Sequence, residues 1–205
     1  MQKIGFCDKY SLTQAVLNGT KTMTRRLEKP LERAVENYKK KYGEEPVIKY
    51  QEWVREGNFL RVHCEHDFLS FQTRYKLNEV IAIAQAYNDF YNDECDPRQF
   101  PEGKGWTNKM FVKPSLMPHG IQITGVRIER LQDISDEECL KEGIIQQAHP
   151  FVKEAKDVYV CPNIEGYFTH PRGCFSVLID RPGVGHKGLW GSNPFVVVYD
   201  FQLAK

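Results

Sequence analysis

The sequence predicts an α+β domain that is mainly β, with short flanking helices and an inserted helical segment. Five runs rich in β-formers, at residues 59–64, 80–87, 121–131, 175–180 and 195–203, dominate the chain beyond its first quarter. Loops punctuated by Gly and Pro separate them, at 88–118, 162–173 and 182–193. A length of 205 residues with 41% hydrophobic content suits one substantial core carrying an insertion, so a single domain over 1–205 is expected.

In chain order, residues 4–6 read as a short strand. Ser11-Leu12-Thr13-Gln14 reads as a capping box opening a short helix, with Leu12, Ala15 and Val16 on one face. Gly19 stands where that helix needs a left-handed C-terminal residue, so the chain turns sharply just before Lys21. Thr20, Thr22 and Thr24 then alternate with Lys21, Met23 and Arg25, the period-two pattern of a strand leaving the turn. Pro30 opens a second helix with an apolar stripe of Leu31, Ala34, Val35, Tyr38 and Tyr42, ended by Gly43. A third helix is expected over 47–56, with Tyr50, Trp53 and Val54 inward, so the helical insertion spans about 30–57. Much later, Ser135-Asp136-Glu137-Glu138 forms a second capping box, and its helix ends at Gly143 with Glu142 in the last turn. The negative end of the helix dipole disfavours a carboxylate there.

Composition narrows the function. Lys plus Arg number 28 against 27 Asp plus Glu, so nucleic acid would have to be held by a local patch. The first residues lack the apolar stretch of a secretory leader and no run is long enough to span a bilayer, which leads us to expect a soluble, cytoplasmic protein without membrane partners. Six cysteines without paired spacing predict reduced thiols. His63-Cys64-Glu65-His66 is the densest ligand-like cluster, but it lacks the second pair of a zinc site, so no metal and no cofactor is expected. Nucleotide-binding glycine loops, nucleophile elbows and HExxH are absent. What remains is the cationic cluster Lys21, Arg25 and Arg26 interleaved with Thr22 and Thr24. Arginine pairs bind phosphate or carboxylate bidentately, and a Thr hydroxyl beside a Lys serves as nucleophile or water holder.

The pattern Gly19-x-Lys21-x-x-Thr24-x-Arg26 resembles the signature of the ASCH domain family of the PUA-like superfamily. Further segments resemble the family in the same order: Tyr75-Lys76-Leu77-Asn78-Glu79-Val80, Pro114-Ser115-Leu116-Met117-Pro118, residues 125–135 as in phage-type members, and Asn193-Pro194-Phe195-Val196-Val197-Val198. Asn78-Glu79 replaces the usual Gly-Asp, and His119-Gly120 replaces a basic residue. The resemblance implies a PUA-like β-barrel whose cleft beside the motif takes RNA or a nucleoside or nucleotide. It also implies one of two activities: an amidohydrolase acting on N-acylated cytidine-like nucleosides, or a noncatalytic RNA-binding module. On the first, Lys21, Thr24 and Glu142 are catalytic, with Thr24 as nucleophile or water holder, Glu142 as general acid and base and Lys21 as the stabilising cation. Gly19, Arg25, Arg26 and Lys113 are then ligand-binding, Arg26 orienting a ribose or phosphate. On the second, Arg25, Arg26, Lys29 and Lys113 line an open groove alongside Trp106 or Phe111. An interaction scaffold built on the inserted helices is a third reading.

Overall fold

The computed structural model describes residues 1–54, 59–92, 94–150 and 157–204. Among them are ten strands and five α-helices, an α+β fold with more strand than helix. The main sheet has the order β1(Lys3–Ile4)-β6(Val80–Ile83)-β7(Gly120–Arg130)-β10(Phe195–Leu203)-β2(Met23–Arg26). Only β1 and β6 run parallel; the other pairs are antiparallel. Its central ladder is β10 on β7, where Val196, Val197, Val198 and Tyr199 are all buried, as their uninterrupted apolar run requires.

The hydrogen-bonded ladder is open, with β1 and β2 as its edges. Side chains, not strand pairing, close the distance between those edges. Arg26 donates from NH2 to the carbonyl of Gly5, just past β1, at 2.8 Å, and Phe6 packs on Phe201 of β10 with ring centroids 5.7 Å apart.

Between β2 and β6 lie α2(Lys29–Tyr42) and a three-stranded antiparallel sheet, β3(Ile48–Val54), β4(Phe59–Cys64) and β5(Phe68–Gln72). Helix α2 follows expectation: Pro30 sits in its first turn, Leu31 and Tyr38 are buried, and Gly43 ends it at φ 78°. The third helix does not form. Residues 48–54 are a strand paired with β4, and the expected end at Glu56 and Gly57 lies outside the described residues. Tyr50, Trp53 and Val54 satisfy a helical spacing, but tertiary pairing decided for strand, and Tyr50, expected inward, is exposed. Gln51 shows how: its amide donates to the Ile128 carbonyl at 2.7 Å and accepts from the Ile128 amide at 2.8 Å, docking this sheet on the free edge of β7. The insertion is therefore one helix followed by strand.

A second correction concerns residues 175–180, expected as a strand. Residues 175–179 belong to α4(Pro171–Ile179), with Asp180 as its C-cap; Pro171 opens the helix, which buries Cys174, Phe175, Leu178 and Ile179. Those four positions repeat at one-turn spacing, a stripe that a short apolar window reads as continuous. The run at 80–87 also ends early as a strand, at Ile83. Beyond it Tyr87 anchors a satellite aromatic cluster with Phe90, Phe100 and Trp106 inside the 88–118 loop. The small elements α1(Leu12–Leu17), α3(Asp136–Lys141), β8(Ile145–Gln147), β9(Val158–Val160) and α5(Leu189–Ser192) complete the chain. Among the described residues no helix is long and apolar enough to cross a membrane. The six cysteines are free thiols.

Candidate functional site

Two local motifs aim the site. Helix α1 is not capped by Ser11, which instead adopts φ 54° with no side-chain bond to the helix; Thr13 reaches back to Asp8 at 2.5 Å in its place. The other end of α1 does follow the sequence. Gly19 takes φ 74°, and the amides of Thr20 and Lys21 both donate to the Ala15 carbonyl at 2.9 Å. The next amide, Thr22, donates to the carbonyl of Lys141 at 2.9 Å, which ties the start of β2 to the last turn of α3. Helix α3 is fixed at its front by the predicted Ser135–Glu138 capping box, both bonds at 3.2 Å. At its back Gly143 turns at φ 101°, in a place where an added Cβ would lie 3.2 Å from Leu12. Residues 121 apart in sequence are thereby set side by side.

The result is a buried ion pair. Lys21 Nζ lies 2.5 Å from Glu142 Oε2 and donates to the Glu142 carbonyl at 2.7 Å; the two residues are 2% and 4% exposed. Burial pushes the Lys21 ammonium below its ordinary pKa, with Glu142 opposing that shift. The other carboxylate oxygen, Oε1, accepts from Arg25 NH1 at 3.2 Å. Arg25 is itself saturated: NH2 meets Glu129 at 2.5 Å and Glu138 at 2.6 Å, and Arg127 completes the cluster by pairing with Glu129, Glu138 and Asp200. Gly125 is part of this arrangement, because a Cβ there would stand 2.8 Å from the Asp200 carboxylate.

Lys21 and Glu142 open onto a cavity of about 250 Å³ along the outer edge of β2. Its polar wall carries Lys21, Thr24, Arg26 and Glu28; its apolar wall is Phe175, Leu178 and Ile179 of α4 with Leu189 of α5. Residues 183–185 form a tightly packed rim, since a Cβ on Gly185 would fall 2.1 Å from the Ile179 carbonyl and one on Gly183 3.0 Å from the Cys7 sulfur. Thr24 is 6% exposed and lines the cavity, and no hydrogen bond among the described residues engages its hydroxyl.

The structure thus gathers Lys21, Thr24, Arg25, Arg26 and Glu142 around one space, and it places the other expected residues elsewhere. Gly19 shapes the turn without lining the cavity. Arg25 spends its donors on carboxylates. Lys113 is exposed in the 88–118 loop and lies off the cavity, because its amide is held by the Tyr87 hydroxyl at 2.8 Å within the satellite cluster. Trp106 packs into the same cluster, while Lys29 and Phe111 are exposed away from the cavity. His63 stacks on Tyr50 and meets Glu52 at 2.9 Å, and among the described residues no group of three His, Cys, Asp or Glu is placed to hold a metal.

Sequence reasoning missed Glu28. It is 7% exposed, accepts from the Tyr199 hydroxyl at 2.6 Å and from the Arg74 amide at 3.0 Å, and burial pushes its pKa up. The available signal was its place two residues beyond Arg26 on the same extended stretch. No family model, curated protein or solved structure matches the chain.

Proposed function

We propose that this chain is an ASCH-type, PUA-like domain whose cavity binds a small nucleoside-like amide and hydrolyses it, releasing an acyl group from an exocyclic amine as in N-acylated cytidine. The observation that carries this is the burial of Lys21, Thr24 and Glu142 around one small cavity, with Lys21 and Glu142 2.5 Å apart. The sheet whose edges meet through Arg26 and Gly5 supports the barrel part of the reading.

The geometry refines the division of labour. Both oxygens of Glu142 already accept from cations, so its role is to hold and polarise Lys21. Lys21 has three donors and places two on Glu142, leaving one for the amide carbonyl oxygen. Burial lowers the Lys21 pKa against the opposing pull of Glu142, which eases transfer of a proton to and from the same nitrogen. Thr24 attacks the acyl carbon, its proton passes to the Lys21–Glu142 couple and then to the departing amine, and the C–N bond breaks. Water next cleaves the Thr24 ester, releasing the carboxylic acid and restoring the hydroxyl.

The test is hydrolysis of a panel of N4-acylated cytidines by wild type, Lys21→Met, Thr24→Val and Glu142→Gln. Turnover that is present in wild type and lost in all three variants supports the proposal. Absence of turnover together with salt-dependent retention of short RNAs favours the binding module instead. The RNA groove has less behind it: Arg25 is sealed, and Lys113 and Trp106 lie outside the cavity.

A further inference from the structure

The cavity holds two carboxylates in opposite situations. Glu142 is filled by Lys21 and Arg25. Glu28 is almost as buried, yet among the described residues it has no cation within ion-pair distance; each of its oxygens accepts one neutral donor, Tyr199 OH on Oε1 and Arg74 N–H on Oε2. A carboxylate offers about four acceptor sites, so roughly two remain unfilled. Arg26, two residues before it, is the matching case among the cations. Its Nη2 donates to the Gly5 carbonyl, its guanidinium lies 5.7 Å from the Phe6 ring centroid, its Nε–H is buried without an acceptor, and among the described residues no hydrogen bond engages its Nη1. Leaving such groups unmade is costly, so a donor and an acceptor standing open on one cavity wall indicate a ligand that completes both.

The charge of the wall limits what that ligand is. Lys21, Arg25, Arg26 and Arg74 line the cavity together with Glu28 and Glu142; with Arg25 already paired to Glu129 and Glu138, the wall still carries an excess of cations that disfavours a cationic ligand. An anion seated against Glu28 would meet a carboxylate with no cation in contact. A neutral ligand carrying hydroxyl donors fits both conditions. Chain order gives its direction: Lys21 and Thr24 come first, Arg26 next and Glu28 last, with Arg26 and Glu28 roughly 6–7 Å apart along extended chain.

We infer that Glu28 is a ribose-recognition residue: it accepts hydrogen bonds from the vicinal hydroxyls of a neutral nucleoside whose ring carbonyl faces Arg26 and whose acylated amine reaches Thr24. The inference rests on the small-ligand reading of the cavity and deepens it, since it selects ribonucleosides over deoxyribonucleosides and over nucleotides. The Tyr199 hydroxyl, which spends its proton on Oε1, leaves Glu28 acceptor-only toward the ligand.

The experiment is a binding titration by calorimetry or ligand-observed NMR, with no turnover needed. The probes are cytidine, 2′-deoxycytidine, 2′,3′-O-isopropylidenecytidine and cytidine 5′-monophosphate. Wild type should bind cytidine about 10-fold or more tighter than the two probes that lack the free diol. In Glu28→Gln, whose fold is checked by its thermal midpoint, that ratio should fall below about 3-fold. Equal binding of cytidine and both diol-blocked probes by wild type overturns the inference, as does failure of cytidine to bind at all. So does tighter binding of the monophosphate. The wild-type series stands even if Glu28→Gln does not fold. An intact ratio without any amide hydrolysis leaves the ribose site standing and removes only the catalytic reading; hydrolysis without the ratio does the reverse.

Discussion

Arg25 and Arg26 are neighbours in sequence and have opposite fates. Arg25 is held by Glu129, Glu138 and Glu142 in a network that continues through Arg127 to Asp200. Burial works against its charge, and the carboxylates around it more than compensate, so its pKa is raised. Arg26 meets a carbonyl and an aromatic ring, and burial lowers its pKa. Successive residues of a strand point to opposite faces, so one step along β2 separates a completed electrostatic cluster from an open one. The difference separates charges spent on the fold from charges left available to a ligand. Glu142 stands on the boundary, giving one oxygen to each side.

Breaking the completed side should have the largest effect. Arg25→Ala removes the cation shared by three buried or half-buried carboxylates, leaving Glu142 only Lys21 and leaving Glu129 and Glu138 only Arg127. It is expected to cost about 3–5 kcal/mol in urea unfolding, as for other disrupted buried ion pairs. On the open side, Lys21→Met should reduce hydrolysis of an N4-acylated cytidine by about 10²–10⁴-fold, the usual range for losing a positioned proton-transfer group. Ser135→Ala removes the cap that aims α3 and should lower stability by about 1 kcal/mol. Arg26→Gln should change the unfolding free energy least, by under about 0.5 kcal/mol, because it removes no ion pair. A loss comparable to that of Arg25→Ala would erase the contrast between the two arginines.

The pH dependence sharpens the comparison further. Lys21 has a folded-state pKa below its ordinary value, so between those two values the unfolded chain binds more protons and stability rises with pH. Glu28 has a folded-state pKa above its ordinary value, so stability falls as pH rises through that lower, acidic window. Urea midpoints measured across both windows should show these slopes in wild type. Lys21→Met should abolish the alkaline one, and Glu28→Gln the acidic one.

Much of the site was legible because its signals are local. Gly19 predicts a left-handed turn, and Ser135 and Glu138 predict a capped helix with Glu142 in its last turn, each from a few adjacent residues; that Glu142 belongs with Lys21 and Thr24 came only from the family resemblance. Long apolar runs such as 195–203 were equally plain, and β10 occupies those residues. Segments 48–54 and 175–180 failed for a shared reason: short apolar windows satisfy helical and strand spacing together, and the partner across the core chooses. Ser11 failed because Thr13 and Asp8 offered a competing local bond.

The sequence by itself determined the mainly β character, the turn before Lys21 and the identity of the residues at stake. Tertiary structure decided which partners and what burial each of them has. Whether a Lys meets a Glu 121 positions away, whether one arginine is spent and the next left open, and whether Glu28 faces a cavity all depend on which backbone stretches are brought together. Charge on a side chain is a local property. Its burial and its partner are not, and those two set both the cost of keeping the charge and the chemistry it can perform.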